Sequence, residues 1–371
     1  MPDPIVPSYT GANLCGIVPG TLLNAPGRRP AWFPDPLQSA ESVVLLLIDG
    51  LGWHQFAERR SLAPTLASMT GGHITTIAPS TTASALTSLV TGASPLEHGI
   101  VGYRMDMGGG DIMNSLRWHS GTRDLRPVYR PADVQPVPPF AGFSVPVVSR
   151  AELEGTGFTE SHLRGSRPHG WRTVSSIVTQ VSRLVNSGER FVYAYYDGID
   201  KIAHERGFGD FYDNELVFAD HLVSQLAESL PSGTTIVVTA DHGQVQVDDR
   251  IVELDASVTR LITHQSGEGR FRWLHSSSAS RSELLQRCVD LYSDRAWVVS
   301  RDRVVEERWL GPAEAGIRRD EAVRRLGDVA LVPFAPVSFH DPLDSGPYEL
   351  VCRHGSLTEH EMHVPLLAHT V

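Results

Sequence analysis

Two apolar runs of strand length each stop dead at an aspartate. Val43-Val44-Leu45-Leu46-Leu47-Ile48 runs into Asp49-Gly50-Leu51-Gly52, and Thr235-Ile236-Val237-Val238-Thr239-Ala240 runs into Asp241-His242-Gly243. The first run is apolar throughout and the second is broken only by threonines, without polar alternation, so both faces of each strand are expected to be buried. That is the pattern of parallel strands covered by helices on both sides. In such open sheets, ligands gather at the carboxyl ends of the strands. Asp49, Asp241 and His242 stand at such ends.

The stretches between these runs support the same architecture. Thr173 to Val185 has apolar residues at Val174, Ile177, Val178, Val181, Leu184 and Val185, a helical spacing, and Asp213 to Leu230 is amphipathic. Phe191 to Tyr196 is aromatic and β-prone, and it precedes Asp197-Gly198-Ile199-Asp200. Ala63 to Met69 predicts a helix and His73 to Ala78 a strand. Alternating strands and helices predict an α/β fold with a doubly wound, mostly parallel sheet flanked by helices. Residues 255–328 break that rhythm and predict a small inserted α+β cap. Residues 1–40, rich in Pro and Gly, predict an irregular arm. The catalytic core is then 41–254 and 329–371, with Val329 to Pro333 as the strand that returns to it. A chain of 371 residues is long enough to bury such a core.

Pro79-Ser80-Thr81-Thr82 turns into a helix whose face holds Ala83, Leu86, Leu89 and Val90 and whose stop is Gly92. A hydroxyl in the first turn of a helix sits where N–H groups favour negative charge, which suits attack on a phosphoryl group. The plainer expectation is that Ser80 or Thr81 caps the helix. Asp200 and His204 are four apart and share a face if their segment is helical. His354 follows a further short strand. Each residue alone fits a turn or cap, as His98-Gly99 does. Together, three Asp and three His suit two divalent ions with mixed N/O ligands, a pair able to clamp both oxygens of an in-line displacement.

The ordered series VVLLLIDGLG, APSTTASALTSLVTGASPLEHGI, YYDGIDKIAHERG, VVTADHG and CRHGSLTEHEMHVPLL resembles the alkaline phosphatase superfamily. It is most similar to the type I phosphodiesterase/nucleotide pyrophosphatase branch. The resemblance implies one metal site from Asp49, Thr82, Asp241 and His242, and another from Asp200, His204 and His354, with zinc in both. It implies Thr82 as nucleophile, ten positions before Gly92, with Thr81 as the alternative. The family usually has an Asn after its H-G-I segment. Tyr103 stands here, followed by Arg104, so Tyr103, Arg104, Asn114 and Arg117 are the candidates for holding substrate. The implied activity is metal-dependent phosphoester hydrolysis of phosphodiesterase/pyrophosphatase type through a phospho-threonine. The alternatives are a phosphomonoesterase or phosphonate hydrolase on the same fold, or a metal-stabilised binding module without catalysis. No C/S-x-P-x-R surrounds the nucleophile, which argues against a sulfatase.

A net charge of −11 argues against a nucleic-acid scaffold and leaves a small phosphoester as the expected partner. The three cysteines are far apart with no CxxC, which favours a reducing compartment. The first residues lack a basic stretch followed by an apolar run, and the longest apolar run is far below the ~20 residues of a membrane span. The expected location is the cytoplasm.

Overall fold

A computed structural model of the chain describes residues 2–344 and 349–371. Of the expected core, residues 345–348 therefore lie outside the described part. A seven-stranded sheet runs through the centre. Its order is Thr70–Thr75, His363–Thr370, Thr234–Thr239, Ser42–Ile48, Phe191–Tyr196, Pro146–Arg150 and Arg167–Trp171. Only His363–Thr370 opposes its neighbours; the other adjacent pairs are parallel. Helices flank this sheet; Ser175–Asn186 packs on Phe191–Tyr196 and Pro146–Arg150, and Asp210–Ser229 packs on Ser175–Asn186 in turn. The mostly parallel α/β sheet read from the sequence is what forms.

The two founding runs are adjacent, with Leu47 opposite Thr239, and Ile48 lies opposite Tyr196 on the other side. Every residue from Val44 to Ile48 is fully buried. At about 1.5–3 kcal/mol per buried aliphatic side chain, this strand is a main source of stability. Its register aligns three carboxyl ends. Asp49, the Asp197–Asp200 turn and Asp241 therefore emerge side by side.

A second sheet of four strands, Ile262–Glu268, Phe271–Ser276, Val329–Pro333 and Ala296–Ser300, carries the helix Arg281–Tyr292. Two of its strands differ from the expectations. Ile262–Glu268 is too polar to announce itself as a strand. Val329–Pro333, expected to return to the core sheet, instead pairs antiparallel with both Phe271–Ser276 and Ala296–Ser300. A fully apolar run reports burial on both faces but not which sheet provides it. Residues 1–40 hold helices at Ile17–Leu22 and Asp35–Ser39, and Leu14, Ile17, Val18, Phe33 and Leu37 are buried against the core.

The second sheet is bolted to the first by a buried ion pair. Arg270 Nε lies 2.7 Å from Glu361 Oε1, and Nη2 lies 2.8 Å from Oε2. The remaining Arg270 donors reach the carbonyls of Pro333, Ala335 and Val337. No helix among the described residues is long and apolar enough to cross a membrane. Cys15, Cys288 and Cys352 are free and buried.

Candidate metal centre and nucleophile

Seven of the expected residues converge at the carboxyl edge of the central strands. Asp49 ends its strand, and Gly50 turns the chain at φ 73°. A Cβ at Gly50 would lie 2.7 Å from Gln244 Nε2 and 3.0 Å from Asp200 Cβ, so only glycine fits the turn. Asp200 and His204 do lie on one helix, Gly198–Arg206, with Asp200 Oδ1 3.2 Å from His204 Nε2. Asp241 and His242 follow their strand directly. His354 arrives on the two-residue strand Cys352–Arg353, which pairs with Val245–Gln246 just beyond Gly243. A bridge between Ser80 and Gly355 stitches the nucleophile loop to the His354 loop.

The three imidazoles are set alike by the main chain. His204 Nδ1 donates to the Cys352 carbonyl at 2.7 Å, His242 Nδ1 to the Gly243 carbonyl at 3.1 Å, and His354 Nδ1 to the Ser80 carbonyl at 3.0 Å. A carbonyl can only accept, so each proton sits on Nδ1 and each Nε2 lone pair faces the centre. The rings of His242 and His354 stack with centroids 3.6 Å apart.

The carboxylates are held from behind in the same way. Tyr195 OH donates to Asp49 Oδ2. The Gly50 and His242 N–H groups donate to Asp241 Oδ1 at 3.0 and 3.1 Å. Gln244 Nε2 donates to Asp200 Oδ1 at 2.8 Å. Asp49 Oδ1 and Asp241 Oδ2 are left buried and without a hydrogen-bond partner. Burial first, then the neighbouring carboxylates Asp241 and Asp200, push the Asp49 carboxyl well above its usual range. Burial likewise raises Asp241. Bare imidazole nitrogens and orphaned carboxylate oxygens crowded together repel one another unless a cation sits between them. The donor set of three Nε2 and three carboxylates fits divalent ions of the zinc type.

Thr82 opens its helix half-buried, and its Oγ1 lies 3.1 Å from His242 Nε2. Asp49 Oδ1 and Asp241 Oδ2 lie 3.6 and 3.5 Å from the same nitrogen. The capping expected of Ser80 or Thr81 does not occur. Thr81 holds the cap position with no side-chain cap bond, and Ser80 Oγ donates to the Ser356 carbonyl at 2.7 Å. The Ser80 hydroxyl is committed elsewhere, and Thr82 is left facing His242. Gly92 does stop the helix, at φ 72°.

The four substrate-binding candidates lie on or beside the hairpin formed by Arg104–Asp106 and Ile112–Asn114. Arg104 is buried and paired with Asp341, which also meets Arg272 Nη1 at 3.4 Å. Asn114 Nδ2 donates to Tyr103 OH at 2.7 Å, across a hairpin that pairs Arg104 with Asn114. Arg117 is exposed at the end of that hairpin. Among the described residues, no hydrogen bond or ion pair joins these four to the ligand cluster. His98 is buried, with Nε2 2.9 Å from Ser88 Oγ, as a structural residue.

Three residues at the centre escaped the sequence reading. Tyr195 sits in an aromatic strand and looked like core. Gln244 follows Asp-His-Gly without a motif of its own. Glu268 comes from the strand Ile262–Glu268 of the second sheet: its Oε2 is 3.7 Å from His354 Nδ1, and its Oε1 is buried without a partner. Burial pushes its carboxyl well up. Nothing in the sequence near Glu268 announces a strand that reaches across to the core.

Residues 43–357 match the family model "Type I phosphodiesterase / nucleotide pyrophosphatase". Comparison with curated proteins finds no match. Among solved structures, murine ectonucleotide pyrophosphatase / phosphodiesterase 5 superposes with a TM-score of 0.68 at 16% identity, over 88% of each chain. An inactive variant of that murine protein was solved in complex with AMP. Phosphonoacetate hydrolase from Sinorhizobium meliloti 1021, in complex with phosphonoformate, gives a TM-score of 0.60 at 17% identity, over 93% of this chain and 92% of its own. At such identities the likeness is one of fold.

Proposed function

The chain belongs to the type I phosphodiesterase / nucleotide pyrophosphatase family of the alkaline phosphatase superfamily, and from that premise we propose that it is a metal-dependent phosphoester hydrolase with Thr82 as nucleophile. The observation that carries the proposal is the set of three Nε2 lone pairs and two orphaned carboxylate oxygens at one edge of the sheet, with His242 Nε2 3.1 Å from the Thr82 hydroxyl. Asp49, Asp241 and His242 would hold one ion beside Thr82, and Asp200, His204 and His354 the other. Bound zinc ions would supply the positive charge that lowers the cost of an alkoxide and of a departing oxygen.

The chain's own part begins with Thr82. Its Oγ1 gives up its proton to solvent water and bonds to phosphorus while the bond from phosphorus to the leaving oxygen breaks, and the departing oxygen takes up a proton from water. Water then cleaves the phospho-threonine, returning the hydroxyl and releasing the phosphoryl product. The helix start at Thr82 points N–H groups toward the phosphoryl oxygens, which favours the charge that builds there. Ser80 and Gly355 keep the nucleophile loop beside the ligand loop, so attack needs no large rearrangement.

Nucleotide diesters and phosphonates are the substrate classes to try first, since the similar solved proteins were crystallised with AMP and with phosphonoformate. The proposal also places the chain in the cytoplasm, on the ground of its unpaired cysteines. Turnover of chromogenic phosphodiesters, phosphomonoesters and phosphonates with defined metals tests the reading. Bound zinc with no hydrolysis of any of the three would favour a binding module instead.

A further inference from the structure

Away from the nucleophile, one other set of side chains converges as tightly as the ligands do. Asp106 ends the first strand of the hairpin formed by Arg104–Asp106 and Ile112–Asn114. His264 and His275 face each other across two cap strands, so their side chains leave the same face. His264 Nε2 and His275 Nδ1 lie 3.0 and 3.4 Å from one and the same atom, Asp106 Oδ2. The two rings stack with centroids 4.0 Å apart, tilted by 19°. A tetrahedral ion with bonds of about 2.05 Å spaces its ligand atoms by about 3.3 Å. The trio is therefore at coordination spacing, as His204 and Asp200 are at 3.2 Å.

Proton placement sharpens the point. Thr263 Oγ1 has one proton and donates it to the His275 carbonyl at 3.2 Å. It must then accept from His264 Nδ1, 3.0 Å away. A neutral His264 therefore turns a bare Nε2 lone pair toward a carboxylate oxygen. His275 Nε2 is 2.7 Å from Ser266 Oγ, and a proton on that nitrogen leaves Nδ1 bare as well. Asp106 Oδ1 is occupied separately by the Gly108 N–H at 2.7 Å. Two imidazoles anchored by hydroxyls behind them and one carboxylate oxygen in front make an N₂O set with its supporting partners in place.

We propose that Asp106, His264 and His275 form a third divalent-cation site, of the zinc type, which ties the hairpin 104–114 to the cap. Water completes its coordination, since three protein ligands leave a position open. The site is separate from the catalytic ligands. His264 stands four residues before Glu268 on the same strand, a span of roughly 13 Å. A cation here holds Tyr103, Arg104 and Asn114 in register with the cap. A second histidine group, His54, Glu359 and His363, is looser and more exposed, with Glu359 at 65% exposure. The rival arrangement at Asp106 is an imidazolium on His264 paired with the carboxylate, with no ion.

The test uses the full chain as parent, as Asp106→Asn, and as His264→Gln with His275→Gln. Each form is saturated with zinc and desalted, and its metal is counted by mass spectrometry. Each is also titrated with cobalt(II), read in its visible absorption. The parent should hold one more equivalent per chain than either altered form, and both should lack one component of the cobalt titration. Equal metal content and identical cobalt spectra in all three overturn the site. Should the double substitution not fold, the nearly isosteric Asp106→Asn decides alone. His204→Gln, run alongside, reports on the catalytic ions separately, so failure of one assignment leaves the other readable.

Discussion

Thr82 Oγ1 lies 3.1 Å from Nε2 of His242, whose own proton is committed to the Gly243 carbonyl. The hydroxyl therefore meets a lone pair rather than a donor. Thr82→Ala should remove the attacking oxygen while leaving every other ligand in place. Turnover of the best phosphoester should fall by roughly 10³-fold or more, with zinc content unchanged by more than the one weakened contact. Thr82→Ser should keep measurable turnover. Near-parental rates in the alanine form would remove Thr82 from its role.

Tyr195 touches no substrate in this reading, but it orients Asp49 through its hydroxyl. Outer partners of this kind typically set metal affinity by 10–100-fold. Tyr195→Phe should weaken zinc binding by about tenfold, and added zinc should restore turnover. A loss of rate that excess zinc does not repair would assign Tyr195 some other part.

Gly50 turns at φ 73° with Gln244 and Asp200 packed against it. Gly50→Ala adds a strained conformation and a clash, together about 1–3 kcal/mol. Urea unfolding should register that loss, and zinc affinity should drop with it because Gln244 can no longer hold Asp200.

The Arg270–Glu361 pair is fully buried and doubly bonded. Glu361→Gln leaves a guanidinium with no counter-charge, at a cost of about 3–5 kcal/mol. Denaturant midpoints should show it. Because Glu361 Oε1 also accepts the Ser356 N–H at 3.0 Å, the loop carrying His354 should lose hydrogen-exchange protection first.

Burial, with Arg325 nearby, holds the His98 pKa down to about 3, against about 6.5 in the unfolded chain. Between these values the unfolded chain carries the extra proton, so stability falls as pH falls below 6.5. The slope from this one group is about 1.4 kcal/mol per pH unit. His162, held down to about 4 by burial, adds to it. His98→Asn, whose Oδ1 can still accept the Ile100 N–H, should show a shallower acid loss in urea midpoints taken from pH 7 to pH 5. An unchanged slope would mean that His98 titrates normally in the folded chain.

The core sheet was readable because burial on both faces writes itself as an unbroken apolar run, and a carboxylate after such a run marks the strand end. Asp200 and His204 were readable through helical spacing. What the chain does not announce is contact across distance. Glu268 and His264 lie on a strand whose sequence, Ile262–Glu268, is mostly polar, its side chains engaged in hydrogen bonds at Thr263, His264 and Ser266. Arg104 looked free for a phosphate because its partner, Asp341, lies 237 residues away. Val329–Pro333 was readable as a buried strand but not as a member of the second sheet. The Ser80 and Thr81 hydroxyls looked like caps because capping is local, and the Ser356 carbonyl that claims Ser80 is not.

Each of the three imidazoles proposed to hold the ions, those of His204, His242 and His354, leans on a main-chain carbonyl. Substitutions lining the pocket can therefore reshape what enters without loosening the grip on the ions. A new leaving group or a longer substrate asks for different walls, and the walls can be rebuilt one residue at a time. Divergence in specificity is cheap in such an enzyme, because the chemistry hangs from the backbone that every variant shares.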